Sequence, residues 1–236
     1  WSLSTGERQR FASGVTCLFT GAGGLPALAG LLRMEHATGE WAFALVFFSR
    51  SHVSARGILG LMHDTLPGIP YAACSTAGEI TPGGLCEGQV VVTLFPRDHF
   101  RIAGASIPAQ TGKSLEETVR RVAAMRIAFE DGAANDGGET FALCLMDGMS
   151  YMEEAMTAAL HWGLNDVPLL GGSAGDDMNF ASTSLILDGV ELDGGAILLL
   201  VHTSLPVSIF KTENFVPSQE KLVVTRSDPE RRIVHE

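Results

Sequence analysis

Hydrophobic and polar positions alternate along the chain with two periods, and the order in which those periods occur is itself repeated. Residues 42–49 (AFALVFFS) form a near-continuous apolar run, which predicts a buried strand. Residues 52–65 carry helical spacing, residues 70–75 predict a second strand, and 89–95 and 100–107 read as further β segments. The succession then returns. A strand is predicted at 140–147 (TFALCLMD), a helix at 150–162, a short apolar run at 167–170, and β segments at 183–188 and 195–203.

The register repeats as well. Phe141-Ala142-Leu143 lies 98 residues after Phe43-Ala44-Leu45, and Val167-Pro168 lies 98 residues after Ile69-Pro70. A helix precedes each unit, at 25–34 and at 114–129. The second is specified by a capping box of Ser114 and Glu117 and by an apolar stripe of Leu115, Val119, Val122, Met125 and Phe129, and it stops at Gly132. Ser150 and Glu153 repeat the capping-box pattern before the next helix. These observations predict a duplicated half-domain of two α-β-α-β-β-β units, residues 11–108 and 109–205. The fold class is α/β in the mixed α+β sense, with helices covering mixed sheets and αββα layers as an arrangement that fits. Hairpin-like pairs at 89–107 and 183–203 call for antiparallel pairing, while the strand-helix-strand stretches allow parallel pairing.

Composition narrows the functional classes. With 46% hydrophobic and 18% charged residues in 236 positions, the chain can bury a substantial core. A net charge of -11 argues against nucleic acid or an anionic membrane as partner. Cys17, Cys74, Cys86 and Cys144 show no C-x-x-C spacing and lie in apolar stretches, which fits a reducing cytoplasm. The start at Trp1 and the unfinished strand-like stretch ERRIVHE predict a longer parent protein.

The chemistry-bearing signals sit in two loops. Cys74-Ser75-Thr76-Ala77-Gly78-Glu79 and Gly172-Ser173-Ala174-Gly175-Asp176-Asp177 each end an apolar run with a serine, small residues, a glycine and an acid. Such loops can offer hydroxyl and backbone N–H groups and a carboxylate to a ligand; equally, Gly, Ser and Asp are ordinary turn residues. The second loop also spells G-x-S-x-G, with Asp188 or Asp193 and then His202 following in the order of a serine hydrolase. A nucleophile elbow needs a helix after the serine, whereas AGDDMNFASTSLIL reads as turn and then strand. TGKS at 111–114 lacks the first glycine of a P-loop, and GAGGLP at 21–26 has Pro26 where a dinucleotide fingerprint ends. His63 and His161 are again 98 residues apart, each near a predicted helix end, where an imidazole complements the helix dipole.

CSTAGEI (74–80), LLGGSAGDD (169–177) and TSLILDGVELDGGAILLLVHTSLPV (183–207) resemble the FIST family, specifically its N-terminal domain. The resemblance implies a FIST N-terminal domain over 11–205 and the start of a truncated C-terminal FIST domain over 206–236. It further implies a sensory module of signal transduction, found in bacteria and archaea and beside F-boxes in eukaryotes. Its ligands are implied to be amino acids or other small molecules. In some bacterial members the resemblance implies a haem that senses nitric oxide and regulates a partner histidine kinase, with no one of the seven histidines here assigned as its ligand.

The leading reading is therefore a cytoplasmic, non-enzymatic binding module. Its ligand-binding residues are Cys74, Ser75, Thr76, Gly78, Glu79, Gly172, Ser173, Gly175, Asp176 and Asp177, with the two loops close together. The C-terminal FIST domain of the same chain and a histidine kinase or other signalling protein are its partners. The competing reading is a serine hydrolase with Ser173 as nucleophile and His202 as base.

Overall fold

The computed structural model describes residues 7–20, 24–109, 115–132, 137–150, 152–179, 181–211, 216–228 and 233–236. In chain order the elements are β1 (Glu7–Arg10), β2 (Thr16–Thr20), α1 (Leu25–Thr38), β3 (Trp41–Ser49), α2 (Ala55–Thr65), β4 (Tyr71–Thr76), β5 (Glu79–Thr81), β6 (Gly84–Cys86), β7 (Val90–Pro96) and β8 (Phe100–Ile107). There follow α3 (Leu115–Asp131), β9 (Glu139–Met146), α4 (Glu153–Leu164), β10 (Leu169–Ser173), β11 (Leu185–Leu187), β12 (Val190–Glu191), β13 (Ala196–Thr203), β14 (Ser227–Asp228) and β15 (Ile233–Val234). The fold is mixed α/β, as the sequence predicts.

Two sheets stack face to face with helices outside. In β3, Ala44, Val46 and Phe48 pack outward with Leu28 and Leu32 of α1 and Ile58 and Met62 of α2. The alternate residues Phe43 and Leu45 face inward and meet Leu145, Ile197, Leu199 and Val201 of the second sheet. On the far side, Ala142, Cys144, Leu198 and Leu200 pack against Val122 and Phe129 of α3 and Met156 and Leu160 of α4. Period-2 alternation with both faces buried is why β3 and β13 read as continuous apolar runs. Gly163 lets α3 and α4 approach closely, since a Cβ there would lie 2.6 Å from Val122 Cβ.

The first sheet has the order β1-β2-β7-β3-β4-β11-β12 and the second β10-β9-β13-β8. Within them, β2-β7-β3-β4 and β8-β13-β9-β10 share one pairing pattern: antiparallel, antiparallel, then parallel.

This topology corrects the expected hairpins. β7 and β8 belong to different sheets, and so do β11 and β13. The turn at 97–99 carries the chain from one sheet to the other instead of folding it back, with the Phe95 and Phe100 rings packed edge to face at 5.2 Å across the corner. Each run thereby reaches the inter-sheet core, where pairing with its sequence neighbour would leave it in one layer. β8 thus opens the second sheet, so the element order common to both halves is β-α-β-α-β and then a returning strand.

The Ser150 capping box does not form as such. α4 begins at Glu153 with Met152 as its N-cap, while Ser150 donates to Asp147 O at 2.8 Å. Ser114 lies outside the described residues. Among the described residues, Ser54 forms an N-cap, accepting from Gly57 N at the start of α2. Among the described residues no helix is long and apolar enough to cross a membrane.

Candidate functional site

The two loops singled out in the sequence are bonded to each other. Ser75 Oγ donates to Gly175 O at 2.7 Å, and Gly175 N donates to Ser75 O at 2.9 Å. Contact this close requires glycine at 175, where a Cβ would lie 2.7 Å from Ala77 N and 3.0 Å from the carbonyl carbon of Thr76. The junction lies at the C-terminal ends of the parallel pairs β3/β4 and β9/β10, the edge at which open α/β sheets generally carry ligands.

From that junction residues 174–179 and 181–184 lead from β10 in the second sheet to β11 in the first, and they are tied to the ends of both central strands. At the end of β3, Ser49 Oγ donates to both oxygens of Asp177, and Ser51 donates to Asp177 Oδ2 from its N–H at 3.0 Å and its hydroxyl at 2.6 Å. Arg50 Nη1 donates to the carbonyl and hydroxyl of Ser182. At the end of β9, Thr183 Oγ1 donates to Asp147 Oδ1 at 2.5 Å. Asp177 and Met178 are consecutive non-glycine residues in the left-handed region, with φ of 57° and 63°. Such conformations persist only where surrounding bonds hold them.

The ten predicted residues divide between the fold and the surface. Cys74 packs in the inter-sheet core, where burial, with nearby Cys144, pushes its thiol up to about 12. Ser75 is fully buried, and besides bonding Gly175 it accepts from Ser184 N at 2.9 Å. Glu79 is buried too: Thr76 Oγ1 donates to Oε1, Gln89 N donates to Oε2 at 2.9 Å, and the small β5-β6 hairpin is fixed to β7. Asp176 is buried and accepts at Oδ2 from Ala181 N and Ser182 N, shaping the crossing segment. Thr76, Gly78, Gly175 and Asp177 are half-buried, and Gly172 and Ser173 are exposed.

Partial desolvation alone would raise the Asp177 carboxyl. The bonds donated by Ser51 and Ser49, together with nearby His52, outweigh it and hold the carboxyl below the usual aspartate range. Asp177 is therefore ionised at neutral pH. Its Oδ1 carries one bond, at 3.1 Å, and keeps capacity for a donor from outside.

The serine-hydrolase pairing of Ser173 with His202 fails on register. Ser173 sits opposite Met146 at one end of β9, whereas His202 sits opposite Thr140 near the other, about 20 Å away at ~3.3 Å per strand residue. His202 Nδ1 pairs with Thr140 Oγ1 at 3.0 Å, and Asp188 Oδ1 accepts from Tyr71 N in the first sheet. The glycines of the motif answer to packing. Gly171, at φ 152°, lies against the backbone of Cys144 where a Cβ would collide, and Gly175 is the loop contact already described.

Two cavities lie away from the joined loops. One of about 550 Å³ between α2 and the start of β4 is lined by His63, Tyr71 and Asp188 with Leu59, Met62, Leu66 and Ile69. Another, of about 650 Å³, lies between β10, α4 and the segment holding Ile209 and Phe210. Among the described residues no group of three or more His, Cys, Asp or Glu is placed to hold a metal ion.

Ser49, Ser51 and Asp147 were missed in the sequence. Their signal was available: Ser49 and Asp147 are 98 residues apart at the ends of the two matching strands, polar residues closing apolar runs.

The sequence model of the FIST N domain matches residues 42–236, most of the chain. No curated protein matches the sequence at a significant level.

Proposed function

The chain belongs to the FIST family, whose domains serve as sensory modules of signal transduction, and on that premise we propose that it binds a small amino-acid-like molecule at the joined loops. Thr76, Gly78, Gly172 and Ser173 face the ligand with hydroxyl and backbone groups, and Asp177 takes its ammonium group. Cys74, Ser75, Glu79, Gly175 and Asp176 set the positions of those groups from behind. A binding role, not a catalytic one, fits the family.

The observation that carries this reading is the left-handed pair Asp177–Met178 on a segment latched to both central strands. A ligand that engages Asp177 competes with Ser49 and Ser51 and shifts the balance between latched and released states, a local event with a readout in both sheets. The two halves are read as copies of one β-α-β-α-β unit with a returning strand. Residues 206–236 are read as the opening of the C-terminal FIST domain. The signal passes to that domain and on to a histidine kinase or other signalling protein.

The test is isothermal titration of the chain with a panel of L-amino acids, repeated for Asp177→Asn and Ser173→Ala. At least one panel member is expected to bind saturably, with Asp177→Asn weakening it tenfold or more. Saturable binding that neither substitution alters removes this site.

Haem is a second ligand class with one observation behind it: the His63 imidazole shares its cavity with the apolar side chains of Leu59, Met62, Leu66 and Ile69. On that reading His63 would hold the haem, whose iron would supply the binding of a diatomic gas such as nitric oxide. A Soret band that disappears in His63→Ala selects this class, and the lack of any Soret band after haem titration removes it.

A further inference from the structure

At the end of the sandwich opposite the joined loops, the turn at 97–99 and the first residues of β8 bound a cavity of about 220 Å³. Its lining includes Arg97, His99, Arg101, His202 and Ser204, with Asp98 as the one carboxylate among the described residues. On a chain with a net charge of -11, two guanidiniums beside a single carboxylate make this lining locally cationic.

Each guanidinium is tethered to a backbone carbonyl, Arg101 more firmly than the exposed Arg97, while most of their donors stay open. Arg97 Nη2 donates to Trp41 O at 3.3 Å. Arg101 Nη2 donates to Phe129 O at 2.8 Å, and its Cζ lies 3.8 Å from the centre of the Phe129 ring. Among the described residues neither side chain makes a further hydrogen bond, and a guanidinium has five N–H groups. His99 Nδ1 lies 3.2 Å from Ser204 Oγ, which orients a hydroxyl and an imidazole at the same rim. Held arginines lose little rotamer freedom on binding, and their planar forks match the oxygens of carboxylate and phosphate.

We infer that this cavity is a binding site for a small oxyanion, either phosphate or a short dicarboxylate, held between Arg97 and Arg101 with His99 and Ser204 at the rim. A volume of about 220 Å³ is that of roughly seven waters, at ~30 Å³ each, which admits such an anion. The site is independent of the ligand proposed for the joined loops, because it lies at the other ends of β3 and β9.

The test is isothermal titration of the 236-residue chain at low ionic strength with inorganic phosphate and, separately, with malonate, using chloride at matched ionic strength as the blank. Saturable binding of at least one anion is expected, and which of them saturates identifies the source. Arg97→Gln and Arg101→Gln are each expected to weaken it tenfold or more. Arg33→Gln, on the exposed side of α1, is expected to leave it unchanged. Thermal unfolding of each variant checks that it folds, and Arg97→Gln serves where loss of the Phe129 contact unfolds Arg101→Gln. Failure of both anions to saturate, or a loss under threefold in Arg97→Gln, overturns the inference.

Discussion

Ser75 and Ser173 occupy matching places in the two loops, yet their environments give opposite expectations for replacement by alanine. The Ser75 hydroxyl is fully buried, donates to Gly175 O at 2.7 Å and accepts from Ser184 N at 2.9 Å. Ser75→Ala leaves a buried N–H and a half-buried carbonyl without these partners, and an orphaned buried polar group costs about 1–3 kcal/mol. Ser184 N sits in a buried segment and pays in full, whereas Gly175 O can recover part from water, so the sum is about 2–4 kcal/mol. For a chain of this length each kcal/mol moves Tm by about 2–4 °C, which gives a fall of about 5–15 °C. Ser173 is exposed, and its replacement is expected to change stability by no more than about 0.5 kcal/mol. Thermal and denaturant unfolding of the two variants side by side measures the contrast. A Ser75→Ala shift no larger than that of Ser173→Ala would refute the placement of Ser75 as the bond between the loops.

Gly175→Ala drives a methyl into Thr76 and Ala77 backbone, so it is expected to destabilise by about 1–3 kcal/mol and to part the loops, seen as faster amide exchange at 75–78. Because the folded Asp177 carboxyl lies below its ordinary value, its contribution is present above the unfolded pKa of about 4 and is lost as pH falls through the folded one. Asp177→Asn is expected to flatten the acid limb of the stability curve, and an unchanged limb below about pH 4 would assign that limb to other groups. A maleimide is expected to label half-buried Cys86 in the native protein well before Cys17, Cys74 and Cys144, which burial shields and pushes toward higher pKa. Peptide mapping that finds Cys74 labelled first would contradict its place in the core.

Much of the fold was legible because long elements carry strong periodicity. β3, β9 and β13 are apolar on both faces, and the helices carry enough of a stripe to be recognised in outline, although Leu115 at the start of the α3 stripe points to solvent. Sheet membership was not legible. Periodicity records which side chains are buried but not which strand lies alongside, so adjacent β runs read as hairpins when the chain was turning a corner between sheets. β1 (ERQR) is wholly polar and β2 spans five residues, so neither carried a pattern that competes with loop. In the site, the pairing of the loops was legible from their shared spelling and spacing. The division of labour within them was not, since an acid that satisfies buried N–H groups, as Asp176 does, and one that remains half-buried, as Asp177 does, look alike in sequence.

The reading of the joined loops as the sensory surface is tested most directly by following backbone amide resonances of the chain during titration with the L-amino acid panel. Saturable shifts are expected at residues 76–78, 172–178 and 49–51, with the same ligand leaving the His63 cavity unperturbed. Saturation confined to residues around His63, or no saturable shift at the loops with any member of the panel, would contradict it.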